Sequence, residues 1–512
     1  MAERTIRPLR RTPVLPLAVA LVLALPAARA HAASDVVVLD AHGRAHLRHD
    51  RFVPSGDALA PPTATRPEPA RQPVARAAAA KRTVPSELDA LLAAGAIDQA
   101  HHDAWRAAWD DARRLLPKLH GARRENFAAV ISNTSAIAAD GLLSATRAPS
   151  VFLTLERNRQ WWASGPLLAY AQRVGFTGSE LVWQFYPGQG IQLQWLATFG
   201  KANGLFAGRA YDDRLRALLD EAVGLATQRA GGLAWDYLFH FDGGRPPWTS
   251  SLSQGTAIQA LSRAAVRLSQ SSYFEVARQA LGVFREPPPA GVRAATPAGA
   301  HYLQYSFAPK LHIINGFIQS LNGLHDFAVL ANDPEGRALF AAGEAQARVE
   351  VPAFDTGSWS LYLPGEESDL SYHVLVRDFL RGLCTRLQED AARAPAIPAP
   401  DPAVYCDKAQ SFTDDLTRPP VLGVADARVR AGRDAKIGFT LSKISTVTAT
   451  VLRKGVVVWS QTARMGYGRR AMSLRPAKAG PLEVRLRAVD LAGNVGTATG
   501  TLHVAAAARK RP

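Results

Sequence analysis

Apolar residues recur at three- and four-residue steps through most of the chain between Ser86 and Val351, the spacing of helices with one buried face. SELDALLAAGAI opens after Pro85 with Ser86 as its expected cap. ASGPLLAYAQRVG, GIQLQWLATFGKANGL, DDRLRALLDEAVGLATQR, SQGTAIQALSRAAVRL, YFEVARQALGVF, INGFIQSLNGLHDFAVL and PEGRALFAAGEAQARVEV follow the same rule. Loops dense in Gly, Pro and aromatic residues separate them, among them VWQFYPGQG and GGLAWDYLFHFDGGRPPWTSSLSQG. Paired helices joined by such loops predict a mainly α fold. Its body, residues 85–400, is expected to be an α/α toroid whose aromatic loops line one face.

The pattern changes at both ends. Residues 35–53 alternate around a Gly-containing turn, the signature of a hairpin. The stretch 54–85 is rich in Pro and Ala and poor in β-branched residues, which suits a flexible tether, so 33–84 is read as hairpin and linker. Over 418–506, short β-branched runs are punctuated by Gly and Pro at even spacing, which predicts a β-sandwich of immunoglobulin or fibronectin type. The first 32 residues combine Arg4, Arg7, Arg10 and Arg11 with a short apolar run and small residues near Ala30, the layout of an export signal. That run is short of the ~20 apolar residues of a membrane span, so the mature chain is expected to be secreted, with possible association to a cell surface.

Composition agrees with a folded chain: 512 residues, 47% hydrophobic and 20% charged. The formal net charge of +16 is lopsided, because Arg418–Pro512 carries 18 Lys and Arg against 4 Asp and Glu. With the N-terminal 30 residues at +4, the body between is slightly acidic. A basic C-terminal module on an exported chain points to an anionic polymer or surface and away from nucleic acid, in a part separable from the body's own chemistry. The two cysteines, Cys384 and Cys406, either form a disulfide or remain two buried thiols. Neither belongs to a Cys/His cluster, and no metal-binding, nucleotide-binding or nucleophile-elbow motif occurs. No cofactor is expected.

The residues left to carry chemistry lie in the loops and helix starts: Trp248, Gln254, Tyr302, Gln304, Tyr305, Asn315, Tyr362, Glu366, Glu367, Asp369, Tyr372, His373 and Arg377. Four stretches holding them, WTSSLSQGTAIQAL, YLQYSFAPKLHIINGFIQSLNGLHDF, FDTGSWSLY and DLSYHVLVRDFL, resemble in sequence and order the C-terminal domain of D-glucuronyl C5-epimerases. The match rests on Trp248, Gln254-Gly255, Ala257-Ile258, Asn315-Gly316-Phe317, Ser320-Leu321, Gly323-Leu324, Asp326, Asp355-Thr356-Gly357-Ser358 and Tyr372-His373. The resemblance implies that Tyr305, Tyr362 and Tyr372 surround a reacting uronate, with Trp248, Gln254, Gln304, Asn315, His373 and Arg377 contacting substrate and Tyr302 packing. It implies no metal or nucleotide.

Two positions depart from the animal enzymes of that family. Gln304 stands where they have an acidic residue, and LeuProGlyGluGlu follows Tyr362 where they have an Arg nearby; His373, Arg377 or Lys310 would have to supply the cation.

Tyrosine suits the chemistry. Inverting C5 of a uronate removes a weakly acidic proton from one face, passes through an enolate of the carboxylate, and returns a proton on the other face. A phenol of ordinary pKa ~10 serves as base only if a cation or donor depresses it. The same abstraction followed by loss of the C4 substituent would make a polysaccharide lyase. A glycoside hydrolase would need a carboxylate pair, for which Asp236, Asp242, Glu366, Glu367 and Asp369 are available but unremarkable. A polysaccharide-binding protein that has lost the chemistry is the non-enzymatic alternative.

Overall fold

The computed structural model describes residues 35–54, 82–393 and 400–506. The expected export segment and nearly all of the expected tether lie outside these residues. Asp35–Leu39 and Ala45–His49 form the antiparallel hairpin. Its first strand also pairs in parallel with Arg173–Phe176, extending a five-stranded sheet through Trp183–Tyr186 and Gly190–Leu193. This corrects three expectations: the 163–175 stretch ends as a strand, VWQFYPGQG forms the first strand and turn of a hairpin, and GIQL is the second strand of that hairpin, with the expected helix starting only at Trp195. The last three strands, Gly190–Leu193 at the sheet's edge included, are buried throughout, and short, fully buried runs show no alternation to distinguish them from helix.

The first helix of the body, Val84–Ala93, begins earlier than its apolar pattern suggests. Thr83, and not Ser86, is the cap: its hydroxyl oxygen accepts from the Ser86 amide while the Ser86 hydroxyl oxygen accepts from the Thr83 amide, the reciprocal arrangement that satisfies two otherwise orphaned donors.

Two helices, Ser251–Arg267 and Ile314–Leu330, run through the middle of the body, with 251–262 and 314–325 buried without interruption. They nearly touch. A Cβ on Gly323 would stand 2.0 Å from the Gly255 carbonyl oxygen, and one on Gly255 would stand 2.7 Å from Ser320 Cα. Ser320 Oγ donates across the gap to the Ser251 carbonyl at 3.1 Å. The helix Leu370–Arg393 packs alongside, and Asp326 joins all three by accepting from Gln259, Arg263 and Arg386 at 2.6–3.1 Å. Despite burial, the neighbouring His325 imidazole together with Arg386 and Arg263 holds its carboxyl far below the usual range. The small residues and the Asp of the central motif therefore serve helix packing. Cys384 and Cys406 are joined by a disulfide, linking this third helix to Ala403–Asp415.

The C-terminal part folds as two sheets of three and five strands. They bury a hydrophobic core of their own, with Ile437 and Phe439 from one sheet and Val447, Ala449 and Leu486 from the other. Their loops grip the body. Glu367 accepts backbone N–H groups from Ile444 at 2.6 Å and Tyr467 at 2.7 Å. Lys443 is buried, pairs with Asp490 at 2.6 Å, donates to the Asp415 carbonyl at 2.7 Å, and lies 5.2 Å from the centre of the Trp359 ring.

Candidate active site

Strand Ala300–Tyr302 delivers the paired tyrosines to the start of the helix Ile314–Leu330. Tyr302 turns into the core, where its hydroxyl donates to the Leu339 carbonyl at 2.6 Å. Tyr305 lies in the loop that follows. That loop is laced to the one carrying Trp248: the Ser306 amide donates to the Thr249 carbonyl at 3.0 Å, and the Thr249 amide to Ser306 Oγ at 3.1 Å. The lacing builds an aromatic box around Tyr305, with Trp248 edge-on at 5.8 Å, Phe241 at 5.7 Å and Phe307 stacked at 5.3 Å. Trp248 in turn stacks on Tyr237 at 4.3 Å.

Tyr362 arrives from the other side. The turn Asp355-Thr356-Gly357-Ser358 is closed by its own side chains, with Asp355 Oδ1 accepting from the Gly357 amide and Thr356 Oγ1 from the Ser358 and Trp359 amides. Gly357 sits at φ +84°, a conformation that favours glycine. The turn leads into strand Leu361–Leu363, which sets the Tyr362 ring 4.5 Å from that of Tyr372. Tyr372 opens the helix Leu370–Arg393; its amide is held by Asp369 Oδ1 and its carbonyl accepts from Asn315 Nδ2 at 3.0 Å.

Gln304 bridges the two halves. Its Nε2 donates to the Tyr305 hydroxyl at 2.9 Å and the Tyr362 hydroxyl at 3.3 Å. Gly316 makes room for it, since a Cβ there would lie 2.9 Å from Gln304 Cβ. Gln304 Oε1 and Asn315 Oδ1 are buried without a hydrogen-bond partner, two acceptors of the kind that a bound hydroxyl could satisfy.

Burial dominates the electrostatics. It pushes the Tyr305 and Tyr362 phenols well above their ordinary range, against the smaller opposing pull of the Gln304 amide. Tyr237 is pushed up to about 12. Arg377, one of the cations expected to depress a phenol, pairs with Asp378 at 2.8 Å. Asp242 opposes such a shift, raising the Tyr305 phenol further.

Two other expected substrate contacts are occupied elsewhere. Gln254 donates to the carbonyls of Leu233 and Ala280 and accepts from the Trp235 amide, so its amide braces backbone. His373 stacks on Trp359 at 3.7 Å; its Nδ1 accepts from the Ser360 amide and its Nε2–H donates to the Phe412 carbonyl. Both side chains have their hydrogen-bonding groups engaged within the fold. Asp236, the strongest of the carboxylate candidates by burial, is paired with Arg147 and Arg229. The box residues Phe241 and Phe307 belong to none of the matched motif positions, and the density of aromatics in their loops is the only sequence signal that marks them.

The family model for the D-glucuronyl C5-epimerase C-terminus matches residues 230–390. The D-glucuronyl C5-epimerase of Caenorhabditis elegans is 31% identical over 130 residues, covering 23% of this chain and 21% of that protein. The chain thus matches about a fifth of that relative's length. Among solved structures, a sugar epimerase from a ruminal bacterium shares 10% identity at a TM-score of 0.32, covering 44% of this chain and 60% of its own. The fibronectin(III)-like modules of Clostridium thermocellum CbhA share 24% identity at a TM-score of 0.14, covering 17% of this chain and 100% of theirs. Neither structural overlap is close enough to carry fold or function across.

Proposed function

Because residues 230–390 belong to the D-glucuronyl C5-epimerase C-terminal family, we propose that the chain is an isomerase that inverts C5 of D-glucuronyl residues in an anionic polysaccharide. The observation that carries this reading is the Gln304 amide shared by the Tyr305 and Tyr362 hydroxyls, with the Tyr372 ring against Tyr362. Three phenols meet inside the matched segment.

In the proposed reaction a phenolate removes the C5 proton, the C–H electron pair moves into the carboxylate to form the enolate, and a neutral phenol protonates C5 from the opposite face. Tyr305 and Tyr372 are assigned the acid and base roles, and Tyr362 with Gln304 the hydrogen bonds to developing negative charge. Burial keeps Tyr305 and Tyr362 neutral near pH 7, which suits Tyr305 as the acid and Tyr362 as the donor and leaves the base role to Tyr372. Turnover should rise with pH through the neutral range as the phenolate fraction of the base grows.

The remaining parts fit the same reading. We take the helical body as an α/α toroid and the C-terminal sheets as an immunoglobulin- or fibronectin-like sandwich. Its basic surface would hold the protein on acidic polymer outside the cell, after export directed by residues 1–32. Product analysis on a glucuronate-rich polymer tests the proposal: L-iduronyl residues should form while chain length stays constant. Shortened chains with unsaturated ends would make it a lyase, and binding without any product would make it a polysaccharide-binding protein.

A further inference from the structure

One cluster of chemistry-bearing side chains lies outside the tyrosine group. His301 is on the strand Ala300–Tyr302, His312 ends the loop that carries Tyr305, and Glu350 closes the helix Pro334–Glu350. One potential ligand atom from each residue lies within 4.8 Å of the others. The two imidazoles stack at 4.2 Å and direct their Nδ1 atoms at one carboxylate, His301 to Oε2 at 2.8 Å and His312 to Oε1 at 3.6 Å.

We infer that His301, His312 and Glu350 form a binding site for a divalent transition metal, with zinc the best match. Two imidazole nitrogens and one carboxylate oxygen are a zinc donor set, and ligands at ~2.0–2.1 Å from a tetrahedral ion stand about 3.4 Å apart. The distances here bracket that spacing. Imidazole donors favour such an ion over Mg²⁺ or Ca²⁺, which take all-oxygen shells.

The carboxylate is also oriented as a ligand should be. Gln346 Nε2 donates to Glu350 Oε1 at 2.6 Å, and Gln346 Oε1 is fixed by the Thr296 hydroxyl at 2.6 Å, an outer layer of the kind that supports metal ligands. His301 is fully buried, whereas the His312 side chain is 31% exposed and that of Glu350 13%. The ion therefore has a protein side and a solvent side, where water completes its coordination. No sequence motif announced this site because its ligands come from three separate elements.

The ion acts on position. His301 and His312 stand at the two feet of the segment holding Gln304 and Tyr305, and Glu350 anchors both to a third element. Binding fixes the loop that the tyrosine group depends on, without touching substrate. This inference does not depend on the epimerase reading.

Titration of the full, untagged chain, stripped with chelator, tests it. Zn²⁺ followed by calorimetry should bind at one ion per chain, tighter than about 10 μM. Co²⁺ in the same site should give the visible absorption of a low-coordinate ion. His312→Ala, at a partly exposed position, should keep the native circular dichroism spectrum and weaken binding at least 10-fold. Gln346→Leu should weaken it roughly 10- to 100-fold through the ligand it orients. Saturable binding lost in His312→Ala supports the site. No saturable binding by the wild-type chain, or binding unchanged in a natively folded His312→Ala, would overturn it.

Discussion

Gln304 and Gly316 show how single residues define the candidate site. A glutamine next to a tyrosine carries no message in the linear pattern; its meaning comes from reaching Tyr362 across the fold, which requires the missing Cβ at 316. Tyr302 was legible as a packing residue through the resemblance, and its hydroxyl is held by the Leu339 carbonyl in the core. The place of His373 was not legible. It sits beside Tyr372 in sequence, but on a helix adjacent residues point to different faces, and its ring faces Trp359 and Phe412. Burial there lowers its pKa to about 4 from an ordinary 6.5. The sign follows: between those values the unfolded chain binds the extra proton, so stability is full above about pH 6.5 and falls as pH drops toward 4. A shift of that size corresponds to about 3 kcal/mol at most. Denaturant midpoints of wild type and His373→Asn across pH 4–7 check this: the wild type should show the steeper loss, and equal slopes would assign the acid sensitivity to other groups.

The helices and strands were legible where their period was clean. The 251–267 and 314–330 helices follow their apolar spacing, and the N-terminal hairpin falls where its alternation places it. The sheet strands at 173–193 were not legible, because they are short, buried on both faces and include the buried Arg173, Gln184 and Gln192, so no alternation of apolar and polar positions marks them. The close crossing of the two central helices was also hidden, since Gly255 and Gly323 look like weak helix residues until the facing backbone is in view. Gly323→Ala must push its Cβ away from the Gly255 carbonyl and separate the helices. The expected cost is about 2–4 kcal/mol, beyond the ordinary 1–3 kcal/mol of overpacking, because the obstacle is backbone. Thermal denaturation reads it directly; a change in Tm of a degree or less would mean that the helices adjust freely.

For the whole molecule, charge and composition suggest a body and a basic C-terminal part; in the structure the C-terminal sheets bury a core of their own yet belong to one compact unit with the body. The consequence differs from the expected separability. Glu367 lies on the strand paired with the one carrying Tyr362, and it is held by two amides of the C-terminal sheets. Lys443 reaches under Trp359 from the same side. Long-range contacts of this kind leave no trace in local pattern. A chain ending at Leu416 would lose these supports and expose the Glu367 hairpin to water, so it should lose at least 10-fold in turnover of short oligosaccharides as well as its salt-sensitive polymer binding. Retained turnover in the truncated chain would show that the sheets only tether.

Incorporation of solvent deuterium at C5 addresses the central claim most directly. A glucuronate-rich polymer incubated with the enzyme in heavy water, with C5 followed by nuclear magnetic resonance, should acquire deuterium in both C5 configurations at constant chain length. Tyr305→Phe and Tyr372→Phe, which keep the rings and remove the hydroxyls, should each slow that exchange by roughly 10²-fold or more, and Tyr302→Phe should leave it nearly unchanged. Undiminished exchange in folded Tyr305→Phe and Tyr372→Phe proteins would contradict a tyrosine acid–base mechanism, and no exchange on any uronate polymer by the wild-type chain would contradict the epimerase assignment itself.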